Sequence, residues 1–165
     1  MSVTTYDTVE SPLGLLLLVA DDGVLVELGL DEAAWSDTIE ASWAHDPGPT
    51  ANVRGELGEY FAGRRQRFSA PVEMRGTPFQ LEVWNALTSI PYGKTATYGE
   101  IAMAVGRPKA SRAIGRANHV NPLPIVIPCH RVIGADGSLT GYGGGVERKA
   151  LLLDLERRLV GARDR

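Results

Sequence analysis

The 165-residue chain has a single cysteine, Cys129, and only three histidines, His45, His119 and His130. One thiol excludes an internal disulfide, so Cys129 is either a buried small hydrophobe or a reactive group. These four residues form no ligand pair at metal-binding spacing, so no metal site is expected. Long apolar runs are missing too. The longest, Leu13 to Ala20, falls far short of the roughly 20 residues needed to cross a bilayer. With no basic stretch leading into an apolar core at the N-terminus, the sequence predicts a cytoplasmic protein without a membrane partner. Gly141-Tyr142-Gly143-Gly144-Gly145 lacks both GxGxxG spacing and a following Lys-Ser/Thr, so it suits close backbone approach to a ligand better than phosphate binding. No cofactor is expected. Acidic residues are absent from Ile101 to Ala135, where Arg107, Lys109, Arg112, Arg116 and Arg131 fall. In a chain of net charge −3 this makes a local basic surface of the kind an anionic polymer needs, although a solvated helix face gives the same composition.

What is present is ordinary globular composition, 44% hydrophobic and 22% charged, enough for one domain or two small ones. Tyr6–Glu10, Leu15–Ala20 and Val24–Leu30 read as strands of a meander, separated by Ser11-Pro12-Leu13-Gly14 and by Asp21-Asp22-Gly23. Asp31 to Ala44 and Val53 to Phe61 read as helices on either side of Asp46-Pro47-Gly48-Pro49, and Phe68 to Met74 as a further strand. Nothing in residues 1 to 70 suggests chemistry. A boundary near Arg75-Gly76-Thr77-Pro78 divides the chain into a support domain, 1–74, and a functional domain, 75–165.

The second part is helical. Thr77 caps a helix with Pro78 first and Gln80 completing a capping box, and Phe79, Val83, Ala86, Leu87 and Ile90 fall on its apolar face. A second capping box, Thr97-x-x-Glu100, opens a helix that stops at Gly106. After the turn comes a third helix, Lys109 to Asn118, with Ala113, Ile114 and Ala117 on one side and Lys109, Arg112 and Arg116 as a basic stripe on the other. Helix, glycine turn and basic helix is helix-turn-helix grammar, which many antiparallel helix pairs share. Val146 to Leu159 is the last helix, with Leu151, Leu152, Leu155 and Leu159 facing inward.

Cys129 follows the apolar run Leu123 to Ile127, read as a buried strand closed by Pro128. A reactive cysteine needs a neighbouring base, because the thiolate is the nucleophile. His130 is adjacent, yet successive side chains on a strand diverge, so it reaches the sulfur only at a turn or through a water. Glu156 is the candidate carboxylate to orient it, with Asp154 and Glu147 as alternatives. An inert buried thiol beside a surface histidine fits the same residues.

The segments NPLPIVIPCHRV (121–132), GYGGGVERKALLLDLE (141–156) and FQLEVWNALTSIPYGKTATYGEIA (79–102) resemble the alkylguanine-DNA alkyltransferase, or methylated-DNA–protein-cysteine methyltransferase, family. Residues 1 to 76 are similar to its variable N-terminal domain in layout, with Ser11-Pro12-Leu13-Gly14 as a short echo. The resemblance implies an α+β protein: an RNase H-like sheet-and-helix domain followed by a winged helix-turn-helix-like domain. It implies irreversible transfer of an alkyl group from guanine O6, and from thymine O4, to Cys129 after the base flips out of duplex DNA. His130 would activate Cys129 through a water, Glu156 would hold His130, and Asn121 would brace the turn. Tyr98 would give a proton to the departing guanine, and Arg112 would fill the place of the flipped base. Thr97, Tyr98, Lys109, Ala113, Gly115 and Arg116 would complete the DNA contact. Tyr142, Val132, Pro124 and Gly143 would line the base pocket. Gly143 stands where some relatives have serine, which implies a lost side-chain hydrogen bond and extra room for bulkier alkyl groups. The partner would be double-stranded DNA bearing alkylated guanine, bound by a monomer, with cooperative binding left open. Two rivals remain: a non-catalytic binder of DNA lesions, which would lack the cysteine, and a cysteine hydrolase, which has no use for a basic helix.

Overall fold

The computed structural model describes residues 3–139 and 141–163, and the chain separates into two compact units, Met1–Arg75 and Gly76–Arg165. The class is α+β: a sheet with helices in the first unit, mainly helices in the second. No helix among the described residues is long and apolar enough to cross a membrane.

In the first unit β1 (Thr4–Ser11), β2 (Gly14–Asp21) and β3 (Val24–Gly29) form an antiparallel meander, and β4 (Ala44–His45) adds in parallel to β1, giving the order β3-β2-β1-β4. Asp22 and Gly23 join β2 to β3 with φ of 49° and 84°. Two consecutive positive φ values define a type I′ turn, whose twist matches the strands and for which Asp-Gly is a preferred pair. On one face Leu17, Val19 and Val26 pack with Trp35, flanked by Tyr6, Leu15, Ile39 and Trp43. On the other, Asp7 of β1 lies opposite Leu18 and pairs with Arg54 of α2 (Ala51–Phe61), which contributes buried Val53, Leu57 and Tyr60. Both faces of β2 are therefore covered, which explains why its sequence is a continuous apolar run and does not alternate.

Two expectations fail here. The helix expected over Asp31 to Ala44 is a single turn, α1 (Glu32–Trp35), because the amide and hydroxyl of Thr38 both donate to the Trp35 carbonyl and close the chain into a turn. The strand expected over Phe68 to Met74 reduces to one parallel bridge, Val72 to Leu25. Pro71 has no N–H, and the buried carboxylate of Glu56 takes the amides of Ser69 and Ala70 at 2.8 and 2.6 Å, so no ladder can form.

The second unit opens with α3 (Pro78–Leu87) and α4 (Tyr98–Ala104), each with its capping box complete. Gly106, at φ +74°, ends α4, and α5 (Ser111–His119) follows. Lys109 sits in the turn before α5, closed by Ala110 N–H to the Arg107 carbonyl, so the helix itself carries only Arg112 and Arg116 of the expected stripe. Trp84, which the apolar pattern of α3 did not include, is fully buried and donates its indole N–H to the Ala117 carbonyl at 2.9 Å, tying α3 to α5. β5 (Ala96–Thr97) and β6 (Val132–Ile133) form a short parallel pair. The last helix, α6 (Val146–Arg163), buries Lys149, Leu152, Leu153 and Glu156, whereas Leu151 is 37% exposed and Leu155 and Leu159 are half-buried. Its inward stripe is one-half ionisable, because those two charges find partners inside.

Glu56 generates a stability prediction. Burial alone would raise its pKa, but the Ser69 and Ala70 donors and Arg65 overcome that and hold it below the ordinary value. A lowered folded pKa contributes stability above the unfolded value of about 4.3, and that contribution disappears as pH falls through the folded value. Glu56→Gln should therefore cost about 1–3 kcal/mol at pH 7, and the difference from the parent should shrink below pH 4 in urea unfolding.

Candidate active site and nucleic-acid interface

The run from Leu123 to Ile127 was expected to be a strand, and with its flanks Asn121 and Pro128 it is a series of tight turns. Pro122, Pro124 and Pro128 have no N–H to give a ladder, and the Asn121 side chain organises what remains. Its Oδ1 accepts from Leu123 N–H at 3.0 Å and its Nδ2 donates to the Ile127 carbonyl at 2.9 Å. Ile125 is driven to φ +72°, a rare conformation for a β-branched residue. The chain emerges into one 3₁₀ turn, Cys129–Arg131, held from α5 by Asn118 Nδ2 on the Cys129 carbonyl at 3.2 Å.

That turn resolves the problem of adjacency. Cys129 and His130 are both buried, and His130 Nε2 lies 2.7 Å from Oε2 of Glu156, itself fully buried. An ionised carboxylate only accepts, so Nε2 carries the proton and Nδ1 is the basic nitrogen. Nδ1 is buried and meets no hydrogen-bond partner among the described residues. Of the three carboxylates considered, Glu156 is the one paired with His130. Asp154 and Glu147 are exposed. The pair is joined by Arg131, whose Nε is 2.8 Å from Glu156 Oε1 and whose second nitrogen is 3.0 Å from Oε2. Burial opposes ionisation of Glu156, yet His130 and Arg131 together hold its pKa well below the carboxylate range.

Lys149 is the residue sequence reasoning missed. Fully buried, it donates to the Val132 carbonyl, and its Nζ lies 5.9 and 6.0 Å from the ring centres of Tyr98 and Tyr142. Burial lowers its pKa to about 8, against the pull of Cys129. Burial pushes the Cys129 thiol up to about 11, while Asn121 and the Lys149 charge draw it down. The signal was in the sequence: Lys149 and Glu156 are seven residues apart, two turns of one helical face.

Tyr98, Tyr142 and Val132 adjoin this centre through Lys149, and Pro124 is buried in the turn that bridges to Ile127. Burial raises the pKa of both tyrosines, with the nearby Cys129 adding to it, so both phenols keep their protons. Tyr142 OH meets no hydrogen-bond partner among the described residues. Gly143 departs from expectation. A Cβ there would stand 2.6 Å from the His119 carbonyl oxygen, so the space next to the backbone belongs to the end of α5 and is not spare room for a substrate. A Cβ on Gly141 would likewise stand 2.7 Å from the Tyr98 OH.

Beside the centre an open cavity of about 580 Å³ is lined by Tyr98, Arg112, Gly115, Arg116, His119 and Gly141, among others. Arg112 and Arg116 are exposed on its rim, Ala113 and Gly115 half-buried. Thr97 spends its hydroxyl on the Glu100 amide at 3.1 Å as the cap of α4, and Lys109 stands exposed before α5.

Tyr98 joins a buried thiol to an arginine-rimmed cavity, an arrangement open to more than one kind of protein. Comparison with known proteins says which: the chain belongs to the 6-O-methylguanine DNA methyltransferase family, whose DNA-binding domain matches residues 78–158 and whose ribonuclease-like domain matches residues 4–74. The methylated-DNA–protein-cysteine methyltransferase of Mycolicibacterium paratuberculosis is 50% identical over 153 residues, 93% of this chain and 92% of the relative. The constitutive enzyme of that name from Bacillus subtilis is 47% identical over 156 residues, covering 92% and 94%. Among solved structures, Mycobacterium tuberculosis OGT in complex with DNA superposes with a TM-score of 0.87 at 48% identity, covering 94% of each chain.

Asn121→Ala tests the turn. It leaves the Leu123 amide unpaired in a buried place and removes one of the two donors to the Ile127 carbonyl, which Cys129 N–H still reaches at 2.7 Å, so it should cost roughly 1–3 kcal/mol in chemical denaturation.

Proposed function

We propose that this protein repairs DNA by taking an alkyl group from guanine O6, and from thymine O4, onto the sulfur of Cys129, once per molecule. The observation that carries the reading is the position of the chain's only thiol, buried beside the His130–Glu156 pair and next to a cavity rimmed by Arg112 and Arg116. The name shared by the relatives and the DNA bound to one of them support it.

An alkyl group on O6 lies within stacked, paired DNA, so the base has to leave the duplex before sulfur can reach it. Lys109 and Arg116 serve the phosphates, Ala113 and Gly115 let the α5 backbone approach, Thr97 and Tyr98 meet the strand, and Arg112 fills the gap left by the base. The base lodges against Tyr142, Val132, Pro124 and the backbone at Gly143. His130 Nδ1 takes the thiol proton through a water, with Asn121 and Lys149 beside the sulfur as it becomes negative. The thiolate attacks the alkyl carbon. The carbon–oxygen bond breaks, its electron pair goes to the guanine oxygen, and Tyr98 supplies a proton to the departing base, later replaced from His130⁺ by way of solvent. A thioether is stable, so the protein acts once. Thiol, relay and cavity come from one chain, which suits a monomer.

Intact-mass spectrometry after incubation with duplex DNA containing O6-methylguanine should show one methyl gained per chain. Cys129→Ser should gain none while duplex binding stays within a few-fold, since a hydroxyl is far less ionised than a thiol near neutrality. Methylation of the serine variant would refute the assignment.

The basic residues separate by substrate. Lys109→Ala or Arg116→Ala should weaken binding to any duplex and lower the salt slope by about one contact each. Arg112→Ala should slow repair in duplex DNA by tenfold or more, yet hardly affect free alkylated guanine, which needs no extrusion. Equal losses on duplex and free base would remove Arg112 from the flipping step.

A further inference from the structure

The relay proposed above needs His130 as an uncharged base, but an imidazole 2.7 Å from a buried carboxylate ordinarily gains a proton. A carboxylate dedicated to one histidine would hold it as a cation, with no lone pair for the thiol proton. The structure shows why that does not follow here. Both oxygens of Glu156 are engaged by one guanidinium, through Arg131 Nε at 2.8 Å and a second nitrogen at 3.0 Å, and Gly93 N–H reaches Oε1 at 3.3 Å. Arg131 is itself fixed: its remaining nitrogen donates to the Ile90 carbonyl at 2.8 Å, and its guanidinium carbon lies 5.6 Å from the centre of the Tyr92 ring. Arg131 and Glu156 are both buried.

We propose that Arg131 is a positioning residue for alkyl transfer: by occupying both oxygens of Glu156 it cancels the carboxylate charge that His130 would otherwise feel, and so keeps His130 a neutral imidazole with its lone pair on Nδ1.

The charge balance is consistent. The charged groups facing His130 are Glu156 and Lys149 of α6 and its neighbour Arg131. Glu156 and Arg131 together are neutral, and Lys149 stands by Cys129. With a neutral ring the buried cluster carries the single positive charge of Lys149; a proton on His130 would add a second. Burial is the largest influence holding the His130 pKa below its ordinary value, and Arg131 and Lys149 act in the same direction against the upward pull of Glu156. When the thiol proton arrives, the cation that forms is transient, and the same Glu156 oxygen is in place to hold it. Arg131 thus separates two jobs that one carboxylate would confuse, orienting the ring and charging it.

The proposal rests on the alkyl-transfer reading, and its test separates the two. In the parent protein, ¹⁵N NMR of the His130 ring should show an unprotonated Nδ1 at pH 6, below the ordinary histidine pKa of about 6.5. A charged ring at that pH overturns the proposal whatever the protein does to DNA. Failure of Cys129 to gain alkyl mass would instead refute the alkyl-transfer reading and leave the titration to judge Arg131. In Arg131→Met the His130 titration should move up by a unit or more, and the acid limb of the transfer rate with it. Transfer should fall about threefold or more at pH 6 and match the parent at pH 8.5. A purely structural role predicts the opposite pattern, an equal loss at both pH values with the His130 titration unmoved, and that result overturns the proposal. Should Arg131→Met not fold, Arg131→Lys replaces it: lysine keeps the charge but cannot span both oxygens, so a smaller upward move of the titration is expected, and none at all counts against it.

Discussion

An ionised carboxylate without water is among the costliest things a protein can bury, and it is tolerated only where donors replace the lost solvent. Glu156 is such a group, and the second unit converges on it. The 129–131 turn supplies His130 and Arg131, the loop after α3 supplies Gly93, and Arg131 carries the connection on to the Ile90 carbonyl. Three stretches far apart in sequence meet because one charge requires them. The position of Cys129 follows from the same requirement, since its neighbours in the chain are pinned.

The other end of the turn is held by amides. Asn118 on α5 grips the Cys129 carbonyl, and Asn121 satisfies the groups that three prolines leave without a ladder. α5 therefore presents arginines to the outside and an asparagine to the reactive turn. The cavity wall and the thiol-bearing turn are thus linked through α5, and Ile125 absorbs the conformational cost of the tight bends.

Local signals were legible in the sequence: both capping boxes, the Asp-Gly hairpin, the glycine stop after α4 and the cysteine with its basic neighbour each depend on residues a few positions apart. Choosing Glu156 over Asp154 and Glu147 needed the phase of α6, which the leucine pattern misread because the buried stripe mixes Leu152 and Leu153 with Lys149 and Glu156. Charges on an inward face are invisible to hydrophobic periodicity, since what admits them lies on other elements. The helix expected after Asp31 failed for a similar reason: one threonine closing on the Trp35 carbonyl outweighed a permissive composition. The strand expected before Met74 lost its amides to Glu56, a partner more than ten residues away. At Gly143 the residue type suggested space, and only the backbone of α5 revealed that the space was taken.

The covered strand β2 matters while the chain is being made. Leu15 to Ala20 has the composition of a segment that sticks to copies of itself, apolar and uncharged over six residues. Its neighbours on either side are joined to it by two-residue turns, so both of its edges find partners no more than 15 residues away along the chain. Pairing at so short a range closes in microseconds, whereas a ribosome adds only about 5–20 residues each second. The most aggregation-prone part of the protein is thus flanked as soon as β3 emerges, with Asp21 and Asp22 as charged gatekeepers at its end.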